Sequence, residues 1–266
     1  MFRLARRGAI DYLEAEELSA PGIAVHAFCA RRGGVSEGPY ASLNAGFRAG
    51  DREADVRRNL SLVGEAFALP QGRIVLVEQV HGDRIHVLDG QEPPPECIPA
   101  CDGLITDRPG VALGIRSADC VPLLFMDPVR RIVGAAHAGW RGLALGIGGK
   151  MVDVFKERFS CRADEMLVAI GPAIGACCYQ VDGPVMAAFS GLPGALSCMR
   201  PCRERDRWMA DLPLAARFQI QAAGVPGERI WTAGYCTACR PDLFFSHRAA
   251  RGKAAGRQIN LIMLRG

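Results

Sequence analysis

The chain has 266 residues, of which 49% are hydrophobic and 23% charged, the balance of a globular protein that buries its own core. Its net charge of +4 is spread along the chain, with no block of like charge that would read as a nucleic-acid arm, and no stretch approaches the roughly 20 apolar residues of a membrane span. Basic residues near the N-terminus are followed by no apolar leader segment, so a cytoplasmic location is expected, with no nucleic-acid or membrane partner. Eleven cysteines, an odd number in a reducing compartment, argue for free thiols over a disulfide framework.

In chain order, Arg3, Arg6 and Arg7 read as a solvated end. Asp55–Phe67 carries a helical stripe of Val56, Leu60, Val63 and Phe67. Ile74–Val77, Ile85–Leu88, Val111–Ile115, Val121–Phe125, Ile132–Ala136 and Met166–Ile170 are short apolar runs with the character of buried strands. Pro93–Pro99 and Gly191–Gly194 read as loops. Leu143–Phe159 reads as one long helix, and Leu212–Ala223 as another, closed by Gly224 as a C-cap. Strands and helices alternate without a repeat or linker. The expectation is therefore one α+β domain of α/β type over residues 1–266, with a large mixed β-sheet flanked by helices.

Only five histidines are present. His81 stands in Gln79-Val80-His81-Gly82, directly after an apolar run. His137 opens His137-Ala-Gly-Trp-Arg-Gly142, between a strand and the long helix, where glycines let backbone approach a ligand. Cys120 stands in Ser117-Ala-Asp-Cys-Val-Pro122, at the entry to another strand. Comparable strand ends allow one cleft to gather the three. Two imidazoles and a thiolate suit zinc, and three protein ligands leave a fourth position for water or substrate. The metal would lower the pKa of water near neutrality. Asp119, beside Cys120, is placed to orient a ligand. The same residues permit a cysteine hydrolase, with Cys120 as nucleophile and His137 as base. Cys236-Thr-Ala-Cys239 is a CxxC without a second CxxC, and reads as structural thiols. Cys177-Cys178 reads as packing. No phosphate-loop, dinucleotide or nucleophile-elbow motif is present.

The chain resembles the YfiH-like family, also called the laccase-domain or multicopper polyphenol oxidase family. The resemblance runs through HAFCARRGGVSEGPYASLNAG (His26–Gly46), QVHG (Gln79–Gly82), ADCVPLL (Ala118–Leu124), HAGWRG (His137–Gly142), GPAIGACCYQV (Gly171–Val181) and FFSHR (Phe244–Arg248). It implies a YfiH-like fold, with His81, Cys120 and His137 as metal ligands. It further implies phosphorolysis of adenosine, inosine and methylthioadenosine, with adenosine deaminase activity. Zinc is the implied cofactor, with copper possible at the same site. Partners would be purine nucleosides and phosphate, on a monomer or homodimer.

For phosphate, Arg48, Arg141 and Arg248 are candidates because guanidinium binds it in bidentate fashion. Asn44 and Ser246, kept within the matching motifs, are further substrate-contact candidates. Two departures from the family pattern stand out: Leu60 replaces a usual arginine, and His247-Arg248-Ala249 replaces a Tyr-Arg-Arg run. The deaminase signature HxE…PCxxC is absent, so deamination would be a separate solution. Other functions attached to the family are a copper-dependent polyphenol oxidase and editing of peptidoglycan precursors. A laccase needs a three-copper cluster held mainly by further histidines, and five histidines in the chain cannot supply it.

Overall fold

The computed structural model describes residues 1–70, 74–90 and 94–266. Pro93, at the start of the expected proline-rich loop, lies outside them. Two large sheets pack face to face. The first has seven strands: β1 (Phe2–Arg7), β2 (Ile10–Ala15), β3 (Ala24–Cys29), β4 (Ile74–Val77), β6 (Cys97–Ile98), β8 (Ala112–Ser117) and β16 (Gln258–Leu264). Their spatial order is β1-β2-β3-β16-β8-β4-β6. The second has six: β5 (Ile85–Leu88), β7 (Gly103–Thr106), β9 (Val121–Asp127), β10 (Ile132–Ala138), β11 (Leu167–Ile170) and β15 (Ile230–Thr232), in the order β15-β11-β9-β10-β7-β5. A small third sheet holds β12 (Gln180–Val181), β13 (Met199–Pro201) and β14 (Trp208–Ala210). Pairing is mixed: β4 runs parallel to β8, whereas β9, β10 and β16 pair antiparallel with their neighbours. The large mixed sheet expected from the sequence is thus present as two stacked sheets flanked by helices.

The helices are α1 (Glu16–Ser19), α2 (Glu53–Ala66), α3 (Trp140–Ala144), α4 (Ile147–Phe159), α5 (Gly183–Phe189), α6 (Ala195–Cys198) and α7 (Leu212–Ala222). Three buried clusters explain the layering. Val63 and Phe67 at the end of α2 pack with Leu76 and Leu261 on the outer face of the first sheet. Leu113 and Ile262 meet Leu124 and Val133 between the sheets. Phe125 meets Met151 and Phe155 of α4 and Ile220 of α7 on the far side. Alternate residues of β9 therefore enter different cores, as a strand's two-residue period requires, and every residue of β9 is buried. That is why it reads as an unbroken apolar run. Fully burying a residue such as Phe125 contributes roughly 1.5–3 kcal/mol.

The long helix expected over Leu143–Phe159 is two helices. The chain breaks at Gly146, whose φ of +84° is a left-handed conformation that glycine enters at no steric cost. The break lets α3 start directly behind His137. The N-terminal arginines do not form a loose end: they lie on edge strand β1, where Arg3 pairs with Glu14 and Arg6 with Asp11. Exposed charge on an edge strand also blunts edge-to-edge association.

His26 is a core histidine. Its Nε2 accepts the Ala15 N–H at 2.9 Å and its Nδ1 has no protein partner. Burial pulls its pKa down to about 4 from the usual 6.5. The unfolded chain therefore binds a proton between pH 6.5 and 4 that the native state refuses. This stabilising difference is intact above 6.5 and is lost as pH falls toward 4, by about 3 kcal/mol in total. Urea midpoints measured from pH 7 to 4 should fall less steeply for His26→Gln than for the wild type.

Candidate metal centre

The three expected ligands meet. One donor atom each from His81, Cys120 and His137 lies within 4.8 Å of the others, and the two imidazole rings stand edge to face at 4.9 Å. His81 comes from the loop after β4, Cys120 from the β8–β9 turn, and His137 from the end of β10. Gly139 makes room for them. A Cβ there would come within 3.0 Å of the His81 ring and 3.1 Å of the Cys120 sulfur, so any side chain at 139 pushes on two of the three donors.

Asp102 organises the group, and sequence reasoning missed it. It is fully buried just before β7. Its Oδ1 takes the Nδ1 of His137 at 2.8 Å and the backbone N–H of His81 at 3.1 Å. Its Oδ2 accepts from the N–H groups of Gly82 (2.7 Å) and Val80 (3.1 Å). One carboxylate thus holds the His81 loop, where His81 has a φ of +60°, and leaves the Nε2 of His137 facing the other donors. Burial opposes ionisation of Asp102, but the His137 hydrogen bond and charge and the backbone N–H groups keep its pKa below the usual carboxylate value. Gln79 adds a second brace by exchanging two hydrogen bonds with the backbone of Arg116.

Burial likewise resists charge on Cys120 and His137, and each overcomes it through the other. The charge and hydrogen bond of His137, with help from His81, hold the Cys120 thiol down to about 6. Cys120 and Asp102 hold His137 up to about 9. Both shifts favour the thiolate form of the sulfur, the form that binds metal or attacks carbon.

Asp119 was expected to orient a ligand and does not. Its Oδ1 accepts from the Thr237 hydroxyl and its Oδ2 from the Arg248 N–H, both at 2.6 Å. It ties the Cys120 turn to two distant loops, while the carboxylate that braces His137 is Asp102. Asn44 is also corrected. Fully buried, it uses its Oδ1 on the N–H groups of Gly46 and Arg257 and its Nδ2 on Asp51, so it builds a loop and does not touch the cleft. Ser246 is buried too and accepts the Ala249 N–H at 3.0 Å to close a turn.

The donors open into a cleft of about 1180 Å³, above the roughly 300–1,000 Å³ of common small-molecule pockets. Among the described residues, six arginines line it: Arg48, Arg57, Arg116, Arg141, Arg248 and Arg257. Arg48 pairs with Glu78 at 2.5 Å. Arg141 lies 4.3 Å over the Trp140 ring and Arg248 4.8 Å over that of Tyr179. Arg257 is mostly buried; burial lowers its pKa while Cys120 and Asp119 attract its charge. Leu60 and His247, the two departures from the family pattern, both face this cleft. His26 and His86 do not line it.

A second sulfur group lies apart from the trio. Cys177, Cys178, Cys236 and Cys239 each place a sulfur within 4.8 Å of the others. The adjacent pair is therefore not packing: it meets the CxxC that lacked a partner in sequence.

A family model described as "Multi-copper polyphenol oxidoreductase laccase" matches residues 25–265. The chain belongs to that family. Among its relatives, a protein of Geobacillus stearothermophilus named purine nucleoside phosphorylase YlmD is 42% identical over 247 residues, covering 90% of this chain and 89% of that one. The Escherichia coli relative named purine nucleoside phosphorylase YfiH is 36% identical, over 88% and 91% of the two chains. The crystal structure of Bacillus licheniformis YfiH, 35% identical, superposes with a TM-score of 0.91 over 99% of each chain. Laccase-domain relatives thus share the whole two-sheet framework that carries the trio. Among the described residues no helix is long and apolar enough to cross a membrane.

Proposed function

We propose that this chain is a cytoplasmic, zinc-dependent purine nucleoside phosphorylase that also deaminates adenosine. One observation carries the reading: a thiolate and two imidazoles, braced by Asp102, share a cleft with six arginines. The relatives' names point the same way. A sulfur and two nitrogens are a zinc-type donor set, and copper competes for the same atoms. When bound, the metal supplies Lewis acidity and lowers the pKa of water.

The chain's own groups supply the rest. Arg48, Arg141 and Arg248, with the more buried Arg257, hold phosphate against the ribose through paired N–H donors. The aromatic faces of Trp140 and Tyr179 wall the cleft where a purine can stack. Asp102 keeps the His137 proton on Nδ1, so that Nε2 remains a donor to the metal. The multicopper reading is disfavoured, because only His81, His137 and His247 among the five histidines line the cleft.

A second reading rests on the alignment of Asp102, His137 and Cys120, which is also that of a thiol hydrolase. Incubation with inosine or adenosine separates the two. Phosphate-dependent release of free base and ribose 1-phosphate by zinc-loaded protein is expected. Iodoacetamide should alkylate Cys120 in metal-free protein, and zinc should protect it. Release of free base that persists without metal, or needs no phosphate, would overturn the phosphorylase reading.

A further inference from the structure

We infer that the chain carries a second metal centre: a four-thiolate site for Zn²⁺ made by Cys177, Cys178, Cys236 and Cys239. The four sulfurs converge from two loops, one following β11 and the other following β15. Cys177 and Cys178 lie 3.6 Å and 3.4 Å from Cys239, sulfur to sulfur. Tetrahedral zinc with bonds of about 2.3 Å sets its sulfurs about 3.8 Å apart. The donor arrangement therefore closes around one ion with little movement.

The backbone is shaped for this. Gly175 donates its N–H to the Cys236 sulfur at 3.2 Å, a bond that orients a thiolate and spreads its charge. A Cβ on Gly175 would come within 3.3 Å of the Cys177 sulfur and of the Cys236 Cβ, so a side chain there would press on two of the four cysteines. The Cys178 N–H bonds back to the Gly175 carbonyl, and the Arg240 N–H to the Cys236 carbonyl. Each loop thereby presents two sulfurs from a tight turn. The CxxC spacing is that of half a zinc knuckle, and the adjacent pair replaces the missing half. Four coordinated sulfurs leave no open position, which is the pattern of a structural site and not a catalytic one.

Its position gives it a purpose. Tyr179, next to Cys178, lines the cleft. Thr237, next to Cys236, holds Asp119. Apart from the sulfurs, the loops are joined there by the Ala173–Cys236 bridge and the Thr237 N–H to the Ala173 carbonyl. An ion at the four sulfurs fastens one wall of the cleft to the turn that carries Cys120.

The test is metal stoichiometry by mass spectrometry of full-length protein loaded with Zn²⁺ and exchanged into metal-free buffer. Wild type should hold two zinc ions per chain and Cys120→Ala one. Cobalt in Cys120→Ala should show the intense visible and charge-transfer bands of a tetrahedral four-sulfur site. Zinc should raise the Tm of Cys120→Ala by about 5 °C or more. Adding Cys236→Ser and Cys239→Ser to that variant should remove the remaining ion and the shift. Cys120→Ala keeps all four sulfurs, so the test does not depend on the serine variants folding. One ion in wild type with none in Cys120→Ala would overturn the site, as would cobalt spectra lacking four-sulfur bands. Either result would leave the reading of the cleft intact.

Discussion

Cys120→Ala should leave a folded protein that no longer retains metal at the cleft and no longer turns over inosine. The substitution removes the one sulfur among the three donors and replaces it with a methyl group that coordinates nothing. Removing a mere supporting partner of a ligand already costs about 10–100-fold in affinity or activity, so loss of a ligand should exceed that range. The fold should survive, because Cys120 sits half-buried in a turn and outside the three hydrophobic clusters. Steady-state assays with inosine and phosphate, beside a circular dichroism spectrum, check both halves. Wild-type kcat/KM in this variant would remove the trio from catalysis altogether.

Asp102→Asn should cost nearly as much activity and, unlike Cys120→Ala, a large part of the stability. The carboxylate accepts three backbone N–H groups and the His137 ring. An amide of the same shape keeps one acceptor oxygen and turns an NH₂ toward donors. At least one part-buried N–H then loses its charged acceptor, at about 1–3 kcal/mol. A loss of about 2–4 kcal/mol in urea unfolding, with metal affinity about 10–100-fold weaker, is expected.

The wild-type carboxylate also links stability to acid. Its native pKa lies below the unfolded value, so its contribution is complete above the unfolded carboxylate pKa and disappears as pH falls through the native one. The asparagine variant should lack that part of the acid transition. A variant as stable as wild type, with its metal retained, would show that the hydrogen bonds to Asp102 are dispensable.

Local pattern made much of this structure readable. Ile74–Val77 and Ile85–Leu88 stand as strands with the bounds their apolar runs suggest, because each is short, buried or half-buried, and bounded by polar turns. The trio was legible because each donor follows or precedes such a run. Asp102 was not, since nothing local distinguishes a carboxylate that meets His137 only after the β7–β10 pairing has formed. The four-cysteine group was hidden in the same way: 57 residues lie between its halves, and the parallel pairing of β11 with β15, continued by the Ala173–Cys236 bridge, brings them together. Strands β1 and β3 escaped notice for different reasons. The first alternates charge with small apolar residues on an edge, and the second carries a histidine at its centre. The helix break at Gly146 was visible as a residue but not as a conformation, because the flanking apolar positions keep helical spacing across it.

The two stacked layers have a bearing on how an ion held by the trio and the architecture would depend on each other. His81 lies in the loop leaving β4 of one layer, His137 at the end of β10 in the other, and Cys120 in the strand-to-strand passage between them. Any slip of layer against layer changes the separation of the donors, so an ion bound there would act as a gauge of their registry. Thermodynamic reciprocity then works in both directions. An occupied centre would clamp the stack at its rim, and a small repacking deep between Leu113 and Leu124 would be felt as altered grip on the ion, with no residue of the cleft exchanged.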